Sequence, residues 1–168
     1  LSMLPNSCLL KAKMISPMLA HTYKAEKHDP TGYWMSEKLD GVRCVAKDGK
    51  LYTRTGRLIH APAFFTKHLP RETLDGEIYG TVDNFDQVSG ICRRKTPCAS
   101  DWRRLTYQIF DLVDAELSFE ERQKKLWNIV PRNPHLKLLR QRLCRGRGHL
   151  ESTLQRIEKS GGEGVMLR

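Results

Sequence analysis

In SEKLDGVR, residues 36–43, a lysine, an aspartate, a glycine and an arginine fall within six residues: Lys38, Asp40, Gly41 and Arg43. On a strand, residues two apart share a face. That spacing predicts Lys38 and Asp40 side by side, with Gly41 permitting a turn or the close approach of a ligand. A free lysine has a pKa of roughly 10.4 and is a poor nucleophile at neutrality. Neighbouring cations and partial burial lower such a value and expose the lone pair. An amine so placed can attack the α-phosphate of a nucleotide and form a phosphoramidate. A solvated strand of alternating charge fits the same eight residues, so the rest of the chain has to discriminate.

Four further clusters carry chemistry. Thr53-Arg54-Thr55-Gly56-Arg57 sets Arg54 before a glycine turn, where a guanidinium can grip a phosphate through two bonds; an exposed hairpin is the plainer reading. LDGEIYG, residues 74–80, holds Asp75 and Glu77 around Gly76 in an otherwise apolar run. Burying carboxylates is costly unless they bind something. Glu77 suits a ribose hydroxyl or Mg²⁺, and an edge-strand turn is the alternative. In YQIFD, residues 107–111, Tyr107 reads as core and Phe110 as a ring able to stack on a purine. GGEGVMLR, residues 161–168, places Glu163, a hard oxygen ligand for Mg²⁺, among three glycines. A helix stop followed by a strand accounts for the glycines but not for the glutamate.

These clusters need elements to hold them. Residues 33–38 and 42–46 read as strands, and Asp48-Gly49 as a hairpin turn with residues 51–53 as the return arm. Residues 72–79, 105–112, 136–139 and 165–167 read as further strands. Helices are predicted over 62–68, over 84–94 from the spacing of Phe85, Val88, Ile91 and Cys92, and over 150–159, closed by Gly161-Gly162. Another should start at the cap Ser118 and run to Asn128, with Glu120 and Glu121 in its first turn. Mixed elements with an antiparallel start predict an α+β domain, not a doubly wound parallel sheet.

A chain of 168 residues suits one domain with a sizeable core. Lys+Arg is 29 against Asp+Glu at 19, a formal charge of +10, which favours a polyanionic partner, nucleic acid before an anionic membrane. The five cysteines are odd in number and form no CxxC pair, which argues against a zinc ribbon or disulfide framework and for a reducing interior. The stretch before Glu26 has no acidic residue and includes Lys11 and Lys13, a faint likeness to an organelle transit peptide.

The order of the clusters (KLDGVR, TRTG, LDGEIYG, YQIFDLV, GGEGVMLR) resembles the nucleotidyltransferase domain of ATP-dependent DNA ligases, the small ligases in particular. DPTGYWMSEKLDGVR, SPMLA at residues 16–20, and DNFDQVSGICRRK at residues 83–95 extend the likeness across the chain from residue 16 to its last. The resemblance implies a nucleotidyltransferase (ATP-grasp-like) fold of antiparallel sheets flanked by helices. It implies ATP and Mg²⁺ or Mn²⁺ as cofactors, and nicked double-stranded DNA as partner in repair, replication or recombination. No membrane association is implied, and a monomer working inside the cell is expected.

By the same resemblance, Lys38 becomes lysyl-AMP, and Asp40 and Arg43 orient it and bind the ribose or the phosphate side of the nick. Arg54 contacts the nick phosphate, Glu77 binds the ribose and assists the metal, Phe110 stacks on adenine, and Glu163 serves the metal. Arg93, Arg94, Lys95, Arg103, Arg104, Arg140, Arg142, Arg145 and Arg147 are available to the duplex backbone. The family's last motif, a lysine pair, and its oligonucleotide-binding-fold domain lie beyond Arg168. The chain is therefore expected to be a truncated adenylation domain over residues 1–168, impaired in self-adenylation and more so in sealing. Residues 131–148 match no family motif. An RNA ligase, an mRNA capping guanylyltransferase and a non-catalytic basic nucleic-acid-binding relative remain the competing readings.

Overall fold

The computed structural model describes residues 18–80 and 84–168. Residues 1–17 of the acid-free stretch, with Lys11, Lys13 and the first two residues of SPMLA, lie outside the described residues, as does Asp83 of the segment 83–95.

Strand β1 (Trp34–Lys38) carries the nucleophile candidate at its last position. β2 (Val42–Lys47) and β3 (Lys50–Thr53) form the hairpin that Asp48-Gly49 predicts. Both turn residues have positive φ, 51° and 69°, the conformation a two-residue turn needs to match strand twist. β4 (Leu58–Ile59), α1 (Ala63–Thr66) and β5 (Leu74–Gly80) follow, then α2 (Phe85–Arg93), α3 (Ala99–Trp102) and β6 (Leu105–Leu112). The chain continues through α4 (Phe119–Ile129), β7 (Leu136–Leu138), β8 (Arg142–Leu143), α5 (Arg147–Lys159) and β9 (Gly164–Leu167). Asn84 and Ser118 each cap a helix and pair reciprocally with Gln87 and Glu121, so both helix starts were legible in sequence.

The strands divide into two sheets. One has six strands in the order β4-β3-β2-β5-β6-β7, the other three in the order β8-β1-β9. Every pairing is antiparallel except β6 with β7, which the long α4 crossover permits. The domain is thus α+β with antiparallel sheets, as expected. β5 is no edge turn: it lies between β2 and β6. β1 and β2 belong to different sheets, so the segment Leu39-Asp40-Gly41 crosses from one sheet to the other just after Lys38.

The core lies on the six-stranded sheet, with α2 against β2 and β5, and α3 and α4 against β6. Leu74, Ile78, Leu105, Tyr107, Phe65 and Trp102 are fully buried, and burial of each large apolar side chain stabilises by roughly 1.5–3 kcal/mol. Phe65 and Trp102 meet edge to face at 4.7 Å between ring centroids. Tyr107 is core, as predicted. Its hydroxyl lies 3.0 Å from the Cys44 carbonyl oxygen and 3.1 Å from that of Leu74, so the buried phenol is satisfied. Gly76 makes room for that ring: a Cβ there would lie 2.6 Å from it. α5 packs on β9 in the smaller sheet. Cys44, Cys92, Cys98 and Cys144 are free thiols. No helix among the described residues is long and apolar enough to cross a membrane.

Candidate active site

The β1–β9 ladder aligns Lys38 with Gly164, which places the preceding residue, Glu163, beside the amine. Lys38 Nζ donates to Glu163 Oε1. The two side chains are 44% and 41% exposed, so the pair sits at an opening rather than in the core. This contact accounts for the glutamate that a helix stop alone does not explain.

Arg43 lies opposite Glu77 in the β2–β5 ladder, and Asp75 is its diagonal neighbour on the same face. Arg43 donates through Nε and Nη2 to the two Asp75 carboxylate oxygens, both at 2.6 Å. Asp75 is buried and Arg43 keeps 26% of its side chain exposed. Two parallel bonds of this kind fix the guanidinium plane. Glu77, on the same face, is pushed up to about 7, chiefly by burial, with Arg43 offsetting part of the effect.

Phe110 is positioned by an irregularity. Along β5–β6, Asp75 pairs with Asp111 but Gly76 pairs with Ile109, so the ladder skips Phe110. A bulge of this kind redirects side chains. Phe110 lies against two guanidinium groups, with Arg43 Cζ 4.6 Å and Arg168 Cζ 4.7 Å from its centroid. Arg168 also donates to the buried Ser36 hydroxyl at 2.8 Å. The next residue, Asp111, holds α4 to the sheet through Arg122, at 2.7 and 3.1 Å.

Lys38, Arg43, Glu77, Phe110, Met166 and Arg168 together line a cleft of about 250 Å³ between the two sheets. A second cleft, of about 470 Å³, shares Arg43 and Glu77 as its wall and contains Arg54, Arg57, Arg93 and the half-exposed Phe85. Arg54 is therefore near the surroundings of Lys38 but not in the same cavity. Glu163 and Lys38 meet at the first cleft.

Asp40 departs from expectation. β1 ends at Lys38, so the two do not share a strand face; Asp40 is exposed in the crossing segment and lines neither cleft. The role predicted for Gly41 also changes. Its close neighbour is the chain itself, since a Cβ there would drive into the Ile78 carbonyl and the Glu77 side chain. Among the predicted backbone-binding arginines, Arg94 and Arg104 both bond to Asp101, Arg103 lies 6.0 Å from the Phe64 centroid, and Arg147 donates to the Ala25 carbonyl. Asp75 as the partner of Arg43, and Arg168 as part of the cleft, were not predicted from sequence. The former needs the strand register. The latter was signalled only by its place in the glycine-rich motif.

A protein-family model described as the ATP dependent DNA ligase domain matches residues 17–168. The DNA ligase of Haemophilus influenzae is 35% identical over 153 residues, which is 90% of this chain and 56% of that protein. A Lig E DNA ligase structure, from work on DNA binding with a minimal scaffold, is 33% identical, with a TM-score of 0.84. The match covers 92% of this chain and 62% of that one. Chlorella virus DNA ligase-adenylate shares the fold, with a TM-score of 0.72 at 20% identity over 89% of this chain and 58% of its own. The chain thus spans little more than half the length of these relatives.

Proposed function

The chain belongs to the ATP-dependent DNA ligase domain family, and on that premise we propose that it is the adenylation part of a DNA ligase. In this reading the Lys38 amine, once deprotonated, attacks the α-phosphorus of ATP. A P–N bond forms, the bond to the bridging oxygen breaks, and pyrophosphate leaves. A 5′-phosphate oxygen of nicked duplex DNA then takes the AMP as the P–N bond breaks. Attack of the adjacent 3′-hydroxyl finally joins the strands and releases AMP.

The observation that carries the reading is the convergence of Lys38, Arg43, Glu77 and Phe110 on one cleft, with Glu163 in contact with the amine. Glu163 holds Nζ at the opening and is the nearest carboxylate as the amine sheds its proton. Arg43, braced by Asp75, presents fixed positive charge where phosphate charge develops. Glu77 suits a ribose hydroxyl. A purine stacking on Phe110 displaces one of the guanidinium groups now against the ring. Arg54 lies across the Arg43–Glu77 wall, in the cleft suited to the nick. Asp40, exposed in the crossing segment, would act by orienting Lys38 from the strand's end.

Glu163 and Glu77 would supply carboxylate oxygens to Mg²⁺ or Mn²⁺, since Mg²⁺ typically uses one or two carboxylates plus substrate phosphates. When bound, such an ion neutralises phosphate charge. The protein is read as a monomer acting on nicked duplex DNA.

Incubation with labelled ATP or GTP followed by intact-mass analysis tests the proposal. An added AMP that maps to Lys38 is expected, and Lys38→Ala should abolish it with the circular dichroism spectrum unchanged. Label from GTP alone would transfer the chain to the capping enzymes.

A further inference from the structure

Arg140, Arg142 and Arg156 line a third pocket, of about 140 Å³, formed where β8 and α5 meet the far side of β1. None of the three has a carboxylate partner among the described residues, in contrast to Arg43, Arg94, Arg104 and Arg122. The floor is apolar, from Met35 and Ile157, and Thr153 adds a hydroxyl. Glu37 also lines the pocket, leaving the cluster with an excess of two positive charges. Three guanidiniums gathered around a concavity repel one another, and an anion relieves that repulsion.

The ladder fixes which side of the sheet this is. Arg142 pairs with Met35, and residues paired directly across an antiparallel ladder share a face. Lys38 alternates with Met35 along β1 and so points to the opposite face. The pocket nevertheless adjoins the Lys38 cleft, since Glu37 and Leu139 line both, while Lys38, Arg43, Phe110 and Arg168 line the cleft alone. The pocket is too small for a nucleoside and large enough for a phosphate.

We infer that Arg140, Arg142 and Arg156 form a phosphate-binding subsite, adjoining the proposed adenylation cleft across Glu37 and Leu139, that takes a backbone phosphate of the nucleic acid. The inference rests on the ligase reading for the identity of the polyanion. It extends the DNA footprint past β1 toward α5, so that the duplex is held next to the Lys38 cleft as well as at the second cleft. Arg156, on α5, joins this footprint although neither charge runs nor motif order singled it out.

The test is binding of a fluorescent nicked duplex by the full chain across a salt series, with Arg142→Ala/Arg156→Ala set against Arg142→Lys/Arg156→Lys. Loss of two phosphate contacts should flatten the slope of log affinity against log salt by about 2, with the lysine variant restoring most of it. A parallel arm measures binding of inorganic tripolyphosphate. Loss of that binding with an unchanged DNA slope would overturn the backbone assignment in favour of free polyphosphate. No change in either arm would overturn the subsite altogether. Failure of the ligase reading registers separately, as absence of the Lys38 adduct in the unsubstituted chain, and circular dichroism separates both from unfolding.

Discussion

Two cation–carboxylate pairs flank the Lys38 cleft, and they are built for opposite purposes. Arg43 and Asp75 are joined by two short bonds on a central strand pair, with Asp75 buried. Lys38 and Glu163 meet through one contact at the cleft opening, each about two-fifths exposed. The first pair loses heavily if either partner is removed, because a charge is left uncompensated in a poorly solvated place. The second exchanges partners readily, since water competes for both groups. One pair is scaffold, and the other is the part of the site free to meet a phosphate or a cation. The difference lies in strand position: diagonal neighbours in the middle of a sheet against residues at a strand's end.

Three substitutions bear on that contrast, beyond the total loss of adduct expected for Lys38→Ala. Asp75→Ala should destabilise the fold by about 3 kcal/mol in chemical denaturation, toward the low end for a buried pair because Arg43 keeps some solvent. A loss below about 1 kcal/mol would erase the distinction between the pairs.

Glu77 sharpens it as the second carboxylate on the face of Asp75. Its folded pKa of about 7 exceeds the ordinary 4.5, so the folded state holds a proton that the unfolded state has released. Stability must then fall as pH rises from about 4.5 to 7, by up to about 3 kcal/mol. Glu77→Gln should remove this slope: denaturation at pH 4 should barely distinguish it from the parent, whereas at pH 8 the variant should be the more stable by roughly 2 kcal/mol. An unchanged slope would mean that Glu77 is better solvated than its burial implies.

The smallest effect is expected at Glu163. Glu163→Gln should change stability by less than about 1 kcal/mol while slowing adduct formation at least tenfold, a split that a merely structural contact would not produce.

What was legible in the sequence follows the range of the interactions concerned. Asp48-Gly49 and Ser118 are local devices, and each forms the turn or cap predicted of it; the reciprocal cap of Asn84 with Gln87, equally local, went unread although the helix itself was predicted. Lys38 and Glu163 were singled out separately, 125 residues apart, but only pairing of β1 with β9 brings them together. Three features were invisible because each depends on register. These are the bulge that skips Phe110, the diagonal from Arg43 to Asp75, and the two-residue strand β8, which is too short to show alternation. Asp40 was misplaced for the converse reason. Period-two reasoning continues a strand until something stops it, and here the chain leaves one sheet for the other immediately after the lysine.

That crossing carries a mechanical consequence. The two walls of the cleft are covalently joined within three residues of Lys38, and Gly41 seats the far end of the join tightly against β5. A second join of the same length, residues 139–141 between β7 and β8, ties the same two sheets. The walls of the cleft are thus stapled twice, and Lys38 sits next to one staple, where the spacing between them is set by the chain itself.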